Sequence, residues 1–509
     1  MSRTCLSLAS LLTAFLLQTP TLAGEAFRKT QPKPKALDQF NQAALQQFTL
    51  KNGLEVFLVE RHQLPIVTMN IFFPTGQASD TPDHPGKSSV CMEMLTRGTQ
   101  SYSRLEWNEA LADLASSITT STSEQHQAIS IKTLSGKFPE TMKLLEQMLT
   151  KPGTNSQEFD RLIQSRLASL KQAKGSAKSI AYRLGPKITF GDQHPLGRIA
   201  TEDHLKRLKV GHCRDFVQKS MKPKGAQLFV VGDLTKQQIE DSFKFSTPWQ
   251  GNIKLSNKIP KPSPLSGKIF FVDVPGAAQS FINFFSTGPS RQDAEYFNTL
   301  MVSKIYGGGF TSRINMNLRE DKGYSYGAYG SFKYLSDFSV LKVGTQVRAN
   351  STYQSVMELY NELQMLYGGE KPATQEELIQ EQNGATLGLP AKFATSNSTL
   401  NMYWGLIKHG LPLDYYNEYQ QKIRAVELNS LAKSAEAFLN PKSVKILVVG
   451  DSKAPVIHRV NDKDVPFTKN GATLKLERSL MDLMKSGKIQ GKELVILDAD
   501  GNLKRRQTI

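Results

Sequence analysis

Two short motifs each occur twice in this chain of 509 residues, in the same order. Residues 72–76 read FFPTG and residues 284–288 read FFSTG, while PKGAQLFVVGD at 223–233 returns as PKSVKILVVGD at 441–451. The two offsets, 212 and 218 residues, are nearly equal. Two ordered motifs at almost one spacing indicate a duplicated unit of roughly 200 residues, which is the size of a domain. The fold must therefore accommodate two copies of one design.

Each copy opens with strand signals and closes on a buried strand. In the first copy, FTLKNGLEVFLVERHQLPIVTMNIFF predicts a hairpin turning on Asn52 and Gly53, and then a further strand. In the second copy, GKIFFVDVPGAAQSFINFFSTG repeats this pattern around a Pro-Gly turn. Strands, then helices, then a closing strand, joined by hairpins and not by crossovers, predict an α+β fold with mainly antiparallel sheets. The predicted helices cover 106–117, 139–149, 296–306 and 355–366.

Composition divides the chain into five segments. Residues 1–23 combine Arg3, an apolar core over 6–17 and small residues at the end, which predicts a secretory signal peptide. Neither this core nor any later apolar run is long enough for a transmembrane segment, so we expect an exported, periplasmic protein. The other predicted segments are a first half, a Pro- and Ser-rich linker, a second half, and a C-terminal extension with an Asp-Gly hairpin turn: residues 24–247, 248–266, 267–455 and 456–509.

The formal net charge of +17 comes from basic residues spread along the whole chain. No zinc finger or aromatic ribonucleoprotein strand accompanies it, so nucleic-acid binding is not expected. Of the three cysteines, only Cys91 and Cys213 lie beyond the predicted signal peptide. A large core, and not a disulfide framework, is therefore expected to hold the fold, with Cys91 as a small buried side chain. The sequence leaves open whether the two cysteines form a bridge.

Residues 86–102, GKSSVCMEMLTRGTQSY, predict a short, mostly buried helix that stops before Gly98. The segment MLTRGT with its Ser/Tyr-rich turn resembles the end of the ligand helix in the pitrilysin/insulinase family of zinc peptidases. In that family the helix carries an inverted H-x-x-E-H motif, whose two His bind zinc while the Glu acts on the bound water. Aligned on MLTRGT, Ser89 stands in place of the first His, Met92 in place of the catalytic Glu, and Glu93 in place of the second His. The resemblance implies a retained scaffold with a degenerate zinc motif.

No other part of the sequence restores the missing ligands. The third zinc ligand of the family is a Glu on a later helix, which here would fall in residues 161–174, a stretch without any carboxylate. None of the eight histidines begins an equivalent motif. Glu93 alone offers one oxygen donor where zinc takes three protein ligands with nitrogen or sulfur among them. We therefore expect a solvated or capping role for Glu93 and no metal in this chain.

The second half contains a more specific block, IYGGGFTSRINMNLREDKGYSYGAYGSF, at residues 305–332. Its three glycines, 307–309, predict a helix end at which the backbone approaches another segment closely. The next helix should carry Ile314 and Leu318 inward and end near Arg319. The simplest role for Arg319 is an ion pair with Glu320 or Asp321, in front of an aromatic strand whose tyrosines fill an amphipathic sheet.

The same block resembles the second-half signature of the family, in which GGG-F-S-S-R-L, L-R-E and G-x-x-Y-S recur in order. The departures are Thr311 for the first Ser, Ile314 for Leu, and Gly327 for the Ser after the Tyr. In the family an Arg and a Tyr seven residues later hydrogen-bond the backbone of the bound peptide. The resemblance implies that Arg319 and Tyr326 do so here, as donors that read no side chain.

The Arg/Tyr block at residues 305–332 is nearly intact, whereas the zinc motif at residues 89–93 is replaced. In paired members of this family one subunit holds the zinc, its partner holds the Arg/Tyr pair, and the two close around a chamber. The resemblance covers 48–451 and implies that this chain forms half of such a clam-shell, as the non-catalytic, substrate-binding subunit of an exported heterodimeric zinc peptidase. Zinc is expected only in a homologous partner subunit, and the substrate is a peptide. A structural scaffold of the same fold, or a zinc metalloendopeptidase with an atypical site, are the alternatives.

Overall fold

The computed structural model describes residues 44–253, 259–263, 267–460, 463–489 and 493–508. The predicted signal peptide, residues 1–23, lies outside these ranges, as do most of the segment before the first strand and parts of the predicted linker. Within these ranges, no helix combines the length and the apolar character needed to cross a bilayer.

A six-stranded sheet forms the frame of the first half. Its strands are β1 (Gln46–Thr49), β2 (Glu55–Glu60), β3 (Ile66–Phe73), β4 (Ser117–Thr122), β5 (Gln127–Leu134) and β6 (Gln227–Gly232). They lie in the order β1-β2-β6-β3-β5-β4. The hairpin predicted around Asn52 and Gly53 is confirmed, because β1 pairs antiparallel with β2 and Gly53 takes the left-handed φ of 85° that such a turn requires.

A seven-stranded sheet forms the frame of the second half. Its first strands are β7 (Lys268–Asp273), β8 (Gln279–Gly288), β9 (Ser325–Tyr334), β10 (Ser339–Arg348) and β11 (Lys445–Gly450). Two small hairpins follow, β12 (Ile457–Val460) with β13 (Lys463–Pro466) and β14 (Thr468–Lys469) with β15 (Ala472–Thr473). The predicted Asp-Gly hairpin is confirmed as β16 (Glu493–Leu497) with β17 (Leu503–Thr508), which completes the sheet order β17-β16-β7-β11-β8-β10-β9.

The two sheets share one strand order, since β2-β6-β3-β5-β4 corresponds to β7-β11-β8-β10-β9. The repeated VVGD motif ends β6 and β11, and the FF-x-TG motif lies at the ends of β3 and β8. The expectation of hairpins without crossovers is wrong in one respect. The closing strand is inserted between the two opening strands, parallel to the first and antiparallel to the second. Its uniformly apolar sequence favours this central position, where both faces are buried.

Helices cover the sheets and agree with the predicted ones, except that 106–117 runs too far. That helix ends at Asp113, because Ala115 has a positive φ of 47° and Ser117 already starts β4. In chain order the helices are α1 (Lys87–Met94), α2 (Arg104–Asp113), α3 (Phe138–Thr150), α4 (Ser156–Ala173), α5 (Ala177–Phe190), α6 (Glu202–Arg207), α7 (Val210–Ser220), α8 (Lys236–Ser242), α9 (Tyr296–Gly307), α10 (Arg313–Asn315), α11 (Thr352–Gly368), α12 (Gln375–Leu387), α13 (Ser396–Lys408), α14 (Tyr419–Arg424), α15 (Leu428–Phe438) and α16 (Leu476–Lys485).

Helix α5 belongs to the first half of the sequence but lies on the second sheet. Its apolar stripe of Ile180, Leu184 and Ile188 packs against β8 and β11. At Gly185 the helix approaches the sheet closely, because a Cβ there would lie 3.0 Å from the ring of Phe285. The core of the second half is therefore completed by residues from the first.

Helix α13 makes the reciprocal exchange and covers β3 and β6 of the first sheet. Trp404 stacks on Phe72 with ring centroids 3.8 Å apart and nearly parallel planes, and its edge meets Phe229 at 5.7 Å. His126 completes this aromatic cluster, 5.1 Å from the Trp404 ring. Each half of the sequence thus supplies one helix to the sheet of the other.

A disulfide joins Cys91 on α1 to Cys213 on α7, across 122 residues of sequence. The bridge left open by the sequence is present in the structure. Cys91 is buried, as predicted, but it is a bonded residue and not a free apolar side chain. The bond fixes α1, the helix that carries the degenerate zinc motif, to a neighbouring helix.

Candidate functional site

The side chain of Asp80 stabilises the N-terminus of helix α1. Gly86 has a left-handed φ of 85°, and the buried carboxylate of Asp80 accepts hydrogen bonds from Gly86 N, Ser88 N and Ser88 Oγ at 2.9–3.0 Å. Burial raises the pKa of Asp80 to about 6, against the hydrogen bonds from Ser88. Asp80 thus orients the helix, a role that sequence reasoning missed because the residue lies outside the motif.

The three degenerate positions on α1 have distinct environments. Met92 is 1 % exposed and belongs to the main core of the first half. The carboxylate of Glu93 accepts hydrogen bonds from Arg97 Nη2 at 2.7 Å and from Arg166 Nη2 at 2.5 Å. Arg166 Nη2 also lies 3.3 Å from Ser89 Oγ, so one guanidinium joins the two positions at which the family has its histidines.

Glu93 is partly solvated, with its side chain 34 % exposed, and it also holds two ion pairs that the sequence analysis did not expect. Its burial acts to raise the pKa, but the hydrogen bond from Arg97 and the charge of Arg166 outweigh it and lower the pKa below the usual value. Arg166 comes from α4, which spans the stretch in which the family's third ligand was sought. All charged residues of 161–174 are basic, and this was the only sequence feature that pointed to a cation here.

These residues do not fit a zinc ion. A hydroxyl, a core thioether and a carboxylate already held by two arginines replace the two imidazoles and the free carboxylate that zinc requires. In the part of the chain that the structure describes, no group of three His, Cys, Asp or Glu side chains could hold a metal. The guanidinium of Arg166 contacts two of the three motif positions, and a guanidinium can neither activate water nor accept a ligand.

A cleft of about 350 Å³ opens beside this ion-pair cluster. One wall is formed by Ser89, Glu93 and Arg166, and the other by β4, from Ile118 to Thr122. Within the described sheet β4 pairs only with β5, so its second edge presents unpaired backbone groups to the cleft. Such an edge can pair with an extended peptide.

The glycine-rich block of the second half is confirmed as a close-packed junction. Helix α9 ends at Gly307, where a Cβ would lie 2.7 Å from the backbone N of Gly330 on β9. Ile314 and Leu318 are fully buried, as predicted. Arg313, which the sequence analysis did not single out, is also buried and donates to both oxygens of Glu377 at 2.7 and 2.8 Å.

Arg319 lies in the single π-helical turn, Met316–Asp321, that continues α10. Its Nε lies 3.1 Å from Glu320 Oε1, an ion pair with one of the two acidic neighbours expected from the sequence. Its guanidinium also lies 4.8 Å from the centroid of the Phe310 ring, a cation–π contact. The side chain remains 40 % exposed, so most of its five N–H donors can serve another partner.

Tyr326 projects from β9, the edge strand of the second sheet, and is 92 % exposed. It lies in a β-bulge, because the register between β9 and β10 shifts at this point. Ser325 Oγ and Thr345 Oγ1 both donate to the carbonyl of Gly327, at 2.8 and 2.9 Å, and fix the bulge. Bulges of this kind re-aim a side chain, and here the phenol is directed into solvent.

The structure groups the site residues into two sets. Arg319 and Tyr326 are held on adjacent segments, because Tyr324 N donates to Leu318 O at 2.9 Å. Between this pair and the Ser89, Met92 and Glu93 positions, no hydrogen bond or ion pair of the described residues makes a link. Beyond the far end of β4, Glu124 pairs with Lys333 of β9. Tyr326 precedes Lys333 by seven strand residues, about 23 Å.

A sequence profile described as Insulinase (Peptidase family M16) matches residues 55–194, and one described as Peptidase M16 inactive domain matches residues 207–384. Together they span more than half of the chain. The chain belongs to peptidase family M16.

Curated M16 relatives are distant but cover most of the chain. The "Uncharacterized zinc protease YmxG" of Bacillus subtilis is 21 % identical over 362 residues, which is 70 % of this chain and 87 % of the relative. The "Non-peptidase homolog YmxG" of Helicobacter pylori is 21 % identical over 413 residues, which is 78 % of this chain and 92 % of the relative. The chain is thus similar to relatives described both as a protease and as a non-peptidase.

Solved structures share the M16 fold of this chain. A peptidase M16 inactive domain from Pseudomonas fluorescens superposes with a TM-score of 0.73 and 20 % identity, over 81 % of this chain and 98 % of that one. A protease from Helicobacter pylori gives a TM-score of 0.72 and 17 % identity, over 80 % and 99 % of the two chains. Among M16 proteins this chain is a member in which arginine, and not a metal-ligand set, occupies the zinc-motif region.

Proposed function

We propose that this M16 chain is the non-catalytic, substrate-binding subunit of an exported heterodimeric zinc peptidase. The zinc belongs to a homologous partner subunit, and Arg319 and Tyr326 bind the peptide backbone. One contrast carries the proposal. Arg166 binds two of the degenerate zinc-motif positions on α1, Ser89 and Glu93, whereas Tyr326 lies in a bulge and is almost fully exposed.

The chemistry of the Arg/Tyr pair suits backbone recognition. A guanidinium and a phenol both donate hydrogen bonds, and peptide carbonyls accept them whatever the side chain. Such donors become most valuable when a carbonyl oxygen gains negative charge in the transition state of hydrolysis. The stacking of Arg319 on Phe310 holds the guanidinium in place before a peptide arrives.

Export is supported by two independent features. Residues 1–23 have the composition of a secretory signal peptide. The Cys91–Cys213 disulfide is typical of proteins that fold in an oxidising compartment such as the periplasm.

The two alternative functions account for less of the structure. A scaffold of the same fold would explain the Arg319–Glu320 pair, but it gives no role to a tyrosine that is 92 % exposed. A zinc peptidase with an atypical site would need Glu93 to leave both Arg97 and Arg166, and would still lack nitrogen ligands.

The test is to co-express this chain with an exported M16 relative from the same genome that keeps H-x-x-E-H, and to measure cleavage of a fluorogenic peptide. We expect no cleavage by this chain alone and cleavage by the pair. Arg319→Ala or Tyr326→Phe should lower turnover by about 10²–10³, the usual effect of losing one oxyanion donor. The complex should elute unchanged in size-exclusion chromatography.

A matched control is Tyr329→Phe, which removes a hydroxyl from another exposed tyrosine of β9. It should leave turnover within about twofold of the unmodified pair, because single surface changes usually have small effects. Unchanged turnover after loss of both Arg319 and Tyr326 would contradict the proposal and leave the scaffold function. Loss of assembly in the Arg319 variant would make Arg319 a structural residue.

A further inference from the structure

A cavity of about 660 Å³ lies on the first sheet, on the face opposite its main core, and polar and apolar residues both line it. Strand alternation builds this face, because successive side chains of a strand point to opposite sides. In β3, Val67 and Met69 are in the core, whereas Thr68 and Asn70 line the cavity. The polar side chains of the sheet therefore form the floor of the cavity.

Two rows of polar residues cross three adjacent strands beneath the cavity. In the first row one residue each of β3, β5 and β4 is aligned by the strand register, and the second row repeats this alignment two residues along. The rows are Asn70–Ser130–Thr119 and Thr68–Lys132–Ser117, and all six residues line the cavity.

The first turn of α13 covers this polar face. Thr395 caps the 13-residue helix by accepting a hydrogen bond from Ser398 N at 3.1 Å, and residues 394–397 line the cavity. The amides of Ser396 and Asn397 precede the first intrahelical bond and need acceptors from outside the helix. Arg61 ties this end down by donating to Phe393 O at 2.8 Å and to Thr399 Oγ1 at 2.9 Å.

A buried side chain without a partner also points to a ligand. Asn70 is only 7 % exposed and faces the cavity, yet no hydrogen bond from the described part of the chain reaches its amide. Its amide is accessible through the cavity, where it can hydrogen-bond a ligand. The charged residues among those that line the cavity are Arg61 and Lys132, and Lys132 pairs with no described carboxylate.

We infer that this cavity binds a carboxylate of the peptide, supplied by its C-terminus or by an Asp or Glu side chain. Lys132, the Asn70 amide and the first turn of α13 are its donors. The inference rests on the proposed function, because Thr119 lines both this cavity and the cleft beside Glu93. An extended peptide beside β4 would reach both, and the substrate class would be peptides with a carboxylate near one end.

The test measures fluorescence anisotropy with the full mature chain and four labelled ten-residue peptides at 150 mM salt. The first is neutral with an amidated C-terminus, and the second differs from it only in a free C-terminal carboxylate. The third and fourth are amidated and carry one Asp or one Asn. We expect the free-carboxylate peptide, the Asp peptide or both to bind at least about fivefold tighter than their neutral counterparts. The two comparisons distinguish the sources of the carboxylate.

Lys132→Glu should abolish this preference, because it puts a like charge at the rim of the cavity. Asn70→Asp should also abolish it, because it puts a negative charge at the floor of the cavity. A melting curve verifies that this variant is folded. The matched control is Lys143→Glu, the same change at an exposed lysine of α3 away from the cavity. It should keep the preference.

Equal binding of charged and neutral peptides would overturn the carboxylate site while leaving peptide binding intact. Equal losses in the Lys132 and Lys143 variants would also overturn it, because they would show general attraction to a basic protein. If none of the four peptides binds, the carboxylate site and peptide binding by this chain both fail. The cleavage assay with the zinc-bearing partner then decides separately whether the proposed heterodimer exists.

Discussion

Arg183 on α5 donates from Nη2 to Oδ1 of Asp500 at 2.6 Å and from Nη1 to the carbonyl of Ala499 at 2.7 Å. Lys174 donates to the other oxygen of Asp500 at 2.7 Å. The turn of the last hairpin is thereby bound to helix α5 and to Lys174, which directly follows α4. Burial of Asp500 acts to raise its pKa, but the hydrogen bonds from Lys174 and Arg183 outweigh this and lower it.

Replacing this carboxylate should destabilise the whole chain. Asp500→Ala leaves Arg183, whose side chain is 15 % exposed, without its counter-charge, so we expect the free energy of unfolding to fall by about 1–3 kcal/mol. Urea denaturation followed by circular dichroism measures this. Asp192→Ala removes a 63 % exposed partner of Lys187 and should change stability by less than about 0.5 kcal/mol. Equal effects of the two substitutions would contradict a stabilising role for the hairpin turn.

The Cys91–Cys213 bond should contribute substantially to stability. It closes a loop with a sequence separation of 122 residues, and cross-links of this kind stabilise by about 2–5 kcal/mol, mainly by restricting the unfolded chain. Dithiothreitol should therefore lower the urea midpoint of the unmodified protein. The Cys213→Ala variant should have this lower midpoint already and should not respond to reductant. A reductant effect of the same size in the variant would trace the loss to something other than this bond.

Rebuilding the zinc motif should require removal of Arg166. Ser89→His, Met92→Glu and Glu93→His together restore H-x-x-E-H, but the guanidinium of Arg166 would remain beside the new ligands and no third ligand would be present. We expect less than 0.1 zinc per chain by elemental analysis, on the order of adventitious binding, because zinc takes three protein ligands.

Adding Arg166→Glu to these three substitutions removes the competing cation and supplies a carboxylate from α4. We expect zinc content to rise towards one per chain, with a gain in melting temperature on adding zinc. The control is the triple variant with Arg166→Gln, which removes the charge but supplies no carboxylate. Tight zinc binding by the triple variant alone would show that another carboxylate reaches the site.

Acid should weaken the contact between the two halves at His126. Burial against Phe72 and Trp404, helped by the charge of Lys408, lowers the pKa of His126 to about 4. The folded state therefore keeps this imidazole neutral, whereas the unfolded chain protonates it near pH 6.5. Its contribution to stability is complete above pH 6.5 and declines as the pH falls towards 4, by about 2–3 kcal/mol.

The measurement compares urea denaturation at pH 7.5 and 5 for the unmodified protein and for His126→Asn. The raised pKa of Asp80, about 6, gives stability the opposite dependence on pH over this interval, so the difference between the two proteins isolates His126. We expect the unmodified protein to lose more stability than the variant. Parallel pH profiles would show that His126 is protonated in the folded state without penalty.

The strands and most helices follow from local patterns, because alternation along β3 and helical spacing along α3 are set by which side chains face the core. The insertion of β6 between β2 and β3 does not, since it depends on pairing between segments far apart in sequence. The exchange of α5 and α13 was missed for the same reason. Nothing within an amphipathic helix states which of two similar sheets it will cover.

The degenerate zinc positions could be found because Ser89, Met92 and Glu93 share one helix. The all-basic stretch 161–174 was the one sequence signal for their replacement, and it did not identify Arg166, which reaches them from another helix. The exposure of Tyr326 likewise depends on the bulge with β10, a relation between two strands. The loss of the zinc ligands can be read from the sequence alone, whereas the residues that replace their interactions can be identified only from the structure.

The exchanged helices also set an order for biosynthesis. The first sheet is complete once Gly232 has been made, but α13, which shields Phe72 and Phe229, begins only at Ser396. These positions are 164 residues apart in sequence (396 − 232), and until α13 has emerged from the ribosome or the export channel the two aromatic rings have no native cover. A chain interrupted in this interval exposes an apolar surface, so truncation between the two positions should yield insoluble fragments. Expressing either half alone should require a holding chaperone for the same reason.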